Sequence, residues 1–290
     1  MPSKEDIKRL NKKRIDISDV SIKYRNYTDY FKIKPWFKKD IVLTKEVLLK
    51  ASNEYNNGHK NALFEANKTS LISMAWKRMR DNLPSLIAPA FNYNCLVDSE
   101  IKFYELLTPP VYERNDGFVT YVVAMQNCLL SIKSGLDRVV SLFAFYYKGI
   151  SKGTTFGHIK TNGKYSGFLG IVFNLQDKDE LIGYVFEQYN LWIHSCVIAR
   201  DSIVHYNDAM MIFDGGSPMG LIPSILTVGD DPQYIRPETI RKYVDNYYNF
   251  IDFVFDYLLL RNASVISCDY YGRILNKEEV EKLLLEKGAQ

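Results

Sequence analysis

Leu181–Asp208 reads LIGYVFEQYNLWIHSCVIARDSIVHYND. Apolar side chains recur at Ile182, Val185, Phe186, Tyr189, Ile193, Cys196 and Val197. That three-and-four spacing is the buried face of a long amphipathic helix. Arg200 continues the stripe, four residues after Cys196 and three after Val197. A guanidinium aimed at a core costs free energy unless it is paired. His205 follows five residues later, near the predicted helix end. The segment therefore delivers a permanent cation and a titratable imidazole to one neighbourhood. The same short spacing also suits a bland arrangement, a partly buried Arg tying two helices together beside an ordinary helix-terminal His.

Outward from this stretch the chain is organised in helices. Phe118–Tyr147 is predicted as a second long helix. Val119, Val122, Gln126, Leu129, Leu136, Val140, Phe143 and Tyr147 mark one face, widened by Val123, Leu130 and Ala144. Gly135 inside it permits a close helix contact. Asp137 falls near the buried side and is a candidate partner for Arg200, with Arg138 or solvent as the alternatives. Pro237–Leu260 is a third long helix, with proline in its first turn and a face of Ile240, Tyr243, Val244, Tyr247, Ile251, Val254 and Leu258. Thr44–Asn56, Asn61–Asp81, Ser99–Leu107 and a polar Ser3–Arg14 supply shorter helices.

Leu83–Asn94 carries Pro84 and Pro89 and reads as irregular. Lys148–Asn174 and Asn207–Arg236 are rich in glycine; the first reads as a long loop or small hairpin and a candidate substrate-side flap, the second as a loop. Val265–Tyr271 reads as a short strand or extended cover, and Asn276–Lys287 as a charged final helix. No repeat and no strand–helix alternation is visible. The expectation is an all-α helical bundle with long loops and additional N-terminal helices. Its parts are a basic arm over 1–40, a helical part over 41–110 and the bundle over 111–290.

Hydrophobic residues at 47% suffice for a sizeable core and exclude wholesale disorder. The formal net charge of +3 is uneven. Met1–Asp40 holds 12 Lys/Arg against 6 Asp/Glu, which leaves the rest of the chain at −3. Such an arm suits contact with nucleic acid or acidic lipid, or serves as a solvated tail. Trp36 among lysines can stack on bases or pack on the body. Cys95, Cys128, Cys196 and Cys268 form no CxxC pair, and Cys128 and Cys196 sit in apolar helical patterns as core residues. His59, His158, His194 and His205 show no metal-binding spacing, so neither metal nor cofactor is expected. Gly163-Lys164 lacks the spacing of a phosphate loop, and Tyr165 stands where its hydroxyl residue belongs. With a charged N-terminus and no apolar run of membrane-spanning length, the expectation is a soluble cytoplasmic protein.

Arg200-Asp201 followed by His205, at the end of a long helix in an all-α bundle, resembles the HEPN superfamily (higher eukaryotes and prokaryotes nucleotide-binding). Its hallmark is an Arg, four to six intervening residues and a His, with a polar residue often directly after the Arg. Gly135-Leu136-Asp137-Arg138-Val139-Val140 is similar to the preceding HEPN helix, which frequently bears an acidic residue facing the motif. The resemblance covers roughly Phe118–Leu260. It implies a metal-independent endoribonuclease in phage defence or a toxin-like role, with an RNA substrate, a homodimer, and an antitoxin or defence-system partner. It equally admits a non-catalytic module that binds RNA, a nucleotide or a partner. One HEPN subgroup carries a Tyr two residues after the His. Here Tyr206 follows His205 directly, a departure from that pattern.

The side chains suit this chemistry on their own terms. RNA supplies its own nucleophile, the 2′-hydroxyl. Histidine exchanges protons near neutral pH. Arginine offers forked, permanently charged donors to phosphate oxygens. On this reading His205 handles the proton, Arg200 stabilises charge on phosphorus, and Asp201, Asp137 and Tyr206 support them.

Overall fold

The computed structural model describes residues 3–33, 79–106, 116–143, 147, 150, 153–159, 163–205, 209–217, 220–227, 233–263, 267–268 and 274–275. These are mostly helical. The helices are α1 (Lys4–Asn11), α2 (Ile17–Ile33), α3 (Leu83–Leu106), α4 (Asp116–Phe143), α5 (Gly167–Leu175), α6 (Glu180–Gln188), α7 (His194–His205) and α8 (Pro237–Ala263). A π-helical turn, Tyr189–Ile193, joins α6 to α7. Strands β1 (Ala209–Ser217), β2 (Gly220–Thr227) and β3 (Tyr234–Ile235) form a small antiparallel sheet in that order, and β4 (Ser267–Cys268) pairs with β5 (Ile274–Leu275). Among the described residues no helix is long and apolar enough to cross a membrane. The predicted helices at Thr44–Asn56 and Asn276–Lys287, nearly all of Asn61–Asp81, and Trp36 lie outside the described residues.

The chain divides into two compact units. The first comprises Met1–Ser21, Pro84–Val140 and Thr154–Phe250, and the second Ile22–Leu83, Ser141–Gly153 and Ile251–Gln290. In the first, α1 opens with a capping box: the Ser3 hydroxyl accepts the Asp6 amide at 3.1 Å while the Asp6 carboxylate accepts the Ser3 amide at 3.0 Å. The turn after α1 is clamped to α3. Asn94 accepts the Ile15 amide at 2.9 Å and donates to the Ile15 carbonyl at 2.8 Å, and Arg14 pairs with Asp98.

Helix α3 corrects the expectation of irregular chain at Leu83–Asn94. Pro84 sits in the first turn, where its missing N–H has no helical partner to lose. Pro89 lies inside the helix, and the helix continues past it. The backbone there is satisfied from outside. The Tyr248 hydroxyl accepts the Ala90 amide at 3.0 Å and lies 3.3 Å from the carbonyl oxygens of both Leu86 and Ile87.

Helix α4 is enclosed on most sides. Tyr121, Met125, Cys128, Leu129, Ile132, Leu136, Val139 and Val140 are all buried. Val119 and Val123 were expected on or beside the buried face, yet both are exposed. They share a narrow solvent stripe with Asn127, Ser134 and Arg138. A helix buried over most of its circumference has no single apolar stripe, so periodicity cannot choose which face is wet. The predicted face of α8 is buried throughout, from Ile240 to Leu258. Gly135 does permit a close contact: a Cβ there would lie 1.9 Å from the Tyr247 hydroxyl oxygen.

Two segments read as loops carry regular structure. Gly167–Leu175 is helix α5. Ahead of it, Ile159 bridges Tyr165 and the Ser166 amide donates to the His158 carbonyl at 2.9 Å. Gly157 has φ of 90°, and a Cβ on it would meet the Ser166 carbonyl oxygen at 2.0 Å, so only glycine fits. Within Asn207–Arg236, β1 and β2 form a hairpin. Its register runs from Ala209↔Thr227 to Ser217↔Gly220, with an irregularity between Asp214 and Ser217. Gly215-Gly216 occupies that bulge, where one strand carries an extra residue. Pro223 pairs opposite Phe213, beyond the reach of β3, which faces only Ile225 and Leu226. Proline is tolerated where no ladder bond is needed on that side.

In the second unit the Tyr24 hydroxyl donates to Asp252 at 2.8 Å, and Lys23 pairs with the same carboxylate. The Tyr24 ring stands edge-on to Phe255 at 6.0 Å.

Candidate functional site

The segment that carries Arg200 is built in three parts. Asp179 caps α6 by accepting the Ile182 amide at 3.1 Å. At Tyr189 the backbone ladder widens, and the His194 amide donates to the Tyr189 carbonyl five residues back. The Trp192 indole N–H donates to the Gln188 amide oxygen at 3.0 Å, so both Trp192 and Ile193 are buried while Leu191 is 65% exposed. Single π-turns of this kind inside α-helices are frequent at functional sites. The predicted stripe of Ile182, Val185, Tyr189, Ile193, Cys196 and Val197 is buried, with Phe186 half-buried.

Arg200 lies at the far end of that stripe. Its Nη1 donates to Asp201 Oδ1 at 2.6 Å, with the two side chains 25% and 32% exposed. The charge-assisted bond comes from the chain neighbour, and it holds the guanidinium at the border of core and solvent. One turn earlier, burial pushes the Cys196 thiol up, and the Lys133 ammonium acts on it in the opposite sense. Lys133, on α4, therefore lies within electrostatic reach of α7 just ahead of Arg200.

Asp137 has its own partners. Lys133 Nζ pairs with Asp137 Oδ1 at 2.6 Å, and the same oxygen accepts the Phe156 amide at 2.7 Å. The sequence offered this carboxylate to Arg200, Arg138 or solvent. In the structure it joins α4 to the segment that follows Thr154. Lys133 was missed, although its four-residue spacing from Asp137 is the ordinary signal of a helical ion pair. Of the sequence-predicted residues, Arg200 and Asp201 are brought into direct contact and Asp137 anchors a neighbouring segment. His205 is the last residue of α7, and its side chain lies outside the described ones. Tyr206 lies outside the described residues altogether.

The arrangement offers a guanidinium fixed beside a carboxylate, with a largely buried ammonium–carboxylate pair on α4. The guanidinium and the ammonium are donors of the kind that bind phosphate oxygens, and each is paired here with a carboxylate. Among the described residues no group of three or more His, Cys, Asp or Glu side chains could hold a metal ion. Comparison with protein families, with curated proteins and with solved structures gives no match.

Proposed function

We propose that the chain is a metal-independent endoribonuclease of HEPN type, with Arg200 and His205 as its catalytic pair. The observation that carries this reading is the Arg200–Asp201 bond at 2.6 Å near the end of α7, five residues before His205. A guanidinium held by its neighbour is ready to meet the phosphate without reorganisation. The RNA 2′-hydroxyl attacks phosphorus, and the bond to the 5′-oxygen breaks. His205 exchanges the proton between these oxygens and the site, and Arg200 offsets the negative charge that builds on phosphorus. The products carry a 2′,3′-cyclic phosphate and a 5′-hydroxyl. Asp201 is a positioning residue for the guanidinium. A homodimer that faces two such pairs across one cleft belongs to the same proposal.

A second reading has an observation of its own. The Arg200 side chain is three-quarters buried and ion-paired, as in a structural strut without catalysis. One experiment separates them. Wild type, Arg200→Ala and His205→Ala are incubated with mixed cellular RNA in excess EDTA, and fragment ends are mapped. The ribonuclease reading expects cyclic-phosphate ends from wild type and a loss of about 100-fold or more in each variant. No fragments from wild type, together with a destabilised Arg200→Ala and an unchanged His205→Ala, establishes the strut.

A further inference from the structure

Away from the Arg200 segment, the end of α1, the middle of α3 and the first turns of α8 line an open, solvent-facing pocket of about 400 Å³. It is lined by Lys12, Lys13, Tyr93, Glu238, Arg241 and Lys242. Four of these six side chains are cations. Lys13 lies 3.5 Å from Glu238 and 3.9 Å from Glu100, and Arg241 donates through Nε to both oxygens of Asp245 at 2.9 and 2.8 Å. Among the described residues Lys12 and Lys242 make no ion pair. The cavity thus holds a surplus of positive charge, and the positive end of the α8 dipole adjoins it through Glu238 in the first turn.

One of the cations is immobilised. The Arg241 Nη1 also donates to the Lys13 carbonyl, and its guanidinium lies 5.2 Å from the Tyr93 ring centroid. A clamped guanidinium loses little freedom on meeting an anion. Glu238 is different: its carboxylate is 54% exposed at the rim. A carboxylate repels a bare anion but accepts from hydroxyl groups. The volume lies in the range of small-molecule sites and exceeds what a bare oxyanion fills. Tyr93 is buried, so its ring face is not free for a stacked base.

We propose that this cavity binds a sugar phosphate, with the phosphate held by Lys12, Arg241 and Lys242 and the sugar hydroxyls donated to Glu238. The site uses none of the residues assigned to RNA cleavage and stands independently of that activity. A proton follows the ligand. Glu100 is buried behind Lys13, and burial raises its carboxyl to about 7, with Lys13 and Arg9 acting against the rise and Glu238 with it. A phosphate bound in the pocket adds negative charge near Glu100 and shifts it toward its protonated form.

The test is calorimetric titration of the full chain with ribose 5-phosphate, inorganic phosphate and ribose at pH 7, in two buffers of different ionisation enthalpy. Ribose 5-phosphate is expected to bind about tenfold or more tightly than inorganic phosphate, with proton uptake, and ribose alone not at all. The exposed pair Lys12→Glu with Lys242→Glu is expected to weaken binding about tenfold or more with an unchanged circular dichroism spectrum. Glu238→Gln is expected to weaken the sugar phosphate and spare inorganic phosphate. Arg200→Ala is expected to leave all three titrations unchanged, which separates this site from the ribonuclease reading. Absence of ribose 5-phosphate binding at millimolar concentration overturns the proposal. So does equal binding of both phosphates, which marks an unspecific cationic surface, or full retention of affinity in the double lysine variant.

Discussion

The Tyr248 hydroxyl accepts the backbone amide of Ala90 at 3.0 Å, one residue after a proline buried in mid-helix sequence. In an uninterrupted α-helix the Ala90 amide would reach the Leu86 carbonyl. Here Tyr248 stands between them, within 3.3 Å of the oxygens of Leu86 and Ile87. The neighbouring Tyr247 is the contrast. Its hydroxyl is buried with no hydrogen-bond partner among the described residues. Tyr248→Phe is therefore expected to cost about 1–3 kcal/mol, since it strands a buried amide. Tyr247→Phe should be neutral or mildly stabilising. Urea denaturation of both variants checks the order, and equal costs would sink this account of α3.

Gly135 and Tyr247 give a second expectation. A Cβ on Gly135 would meet the Tyr247 hydroxyl at 1.9 Å and its ring carbons at 2.6 and 2.8 Å. The ring is fully buried and cannot swing clear, so Gly135→Ala is expected to destabilise by about 1–3 kcal/mol through overpacking. The gain in helix propensity from Gly to Ala, about 1 kcal/mol, offsets only part of this. Adding Tyr247→Leu should recover most of the loss, and a thermal-melt double-mutant cycle reads the coupling.

These tyrosines also show where the sequence was legible. The buried face of α8, Tyr247 included, follows directly from three-and-four spacing, as does the stripe leading to Arg200. Tyr248 lies off that face, and nothing in a helical period says that an off-face tyrosine repairs a proline in another helix. That is why Leu83–Asn94, the first half of α3, read as irregular. The β1–β2 hairpin was hidden in another way. Glycine and proline density argued for loop, while the apolar runs Met210–Phe213 and Leu221–Leu226 carried the strand signal. At the candidate site Arg200 and Asp201 were legible as neighbours. Of the two partners of Asp137, Lys133 was legible from its four-residue spacing, but the Phe156 amide was not, because it is a backbone donor brought from a distant segment.

Glu100 sets a pH dependence. Its carboxyl is raised from 4.5 to about 7, chiefly by burial. Between those values the folded chain holds more protons than the unfolded one, so stability falls as pH rises through that window and levels off above it. The loss attributable to this group is on the order of 3 kcal/mol. Glu100→Gln removes the charged state, so its stability should be flatter over pH 4–8 and should exceed wild type at pH 8. Urea midpoints for both proteins across that range are the measurement. Parallel curves would remove Glu100 as the cause.

Asp137 ties Lys133 and the Phe156 amide together, and Phe156 is itself buried among the rings of Phe168, Tyr189 and Phe250. Asp137→Ala leaves a largely buried ammonium and a backbone amide without their acceptor, a loss of about 2–4 kcal/mol. Asp137→Asn keeps an acceptor for the amide and should cost less. Hydrogen exchange at Phe156 is the local readout: faster in the Ala variant, near wild type in the Asn variant.

Asp201 tests the link between geometry and chemistry. If it orients Arg200 for phosphate, Asp201→Asn keeps the hydrogen bond but drops the charge, while Asp201→Ala removes the bond altogether. The expected order of kcat in EDTA is wild type, then Asn, then Ala, with the Ala variant down about tenfold to 100-fold and RNA affinity changed much less, because orientation acts mainly in the transition state. A positioning role also predicts an unchanged pH profile in the Asn variant, since the proposed mechanism gives the proton to His205. A loss confined to affinity, with kcat intact, would instead assign Asp201 to substrate binding rather than to positioning of the guanidinium.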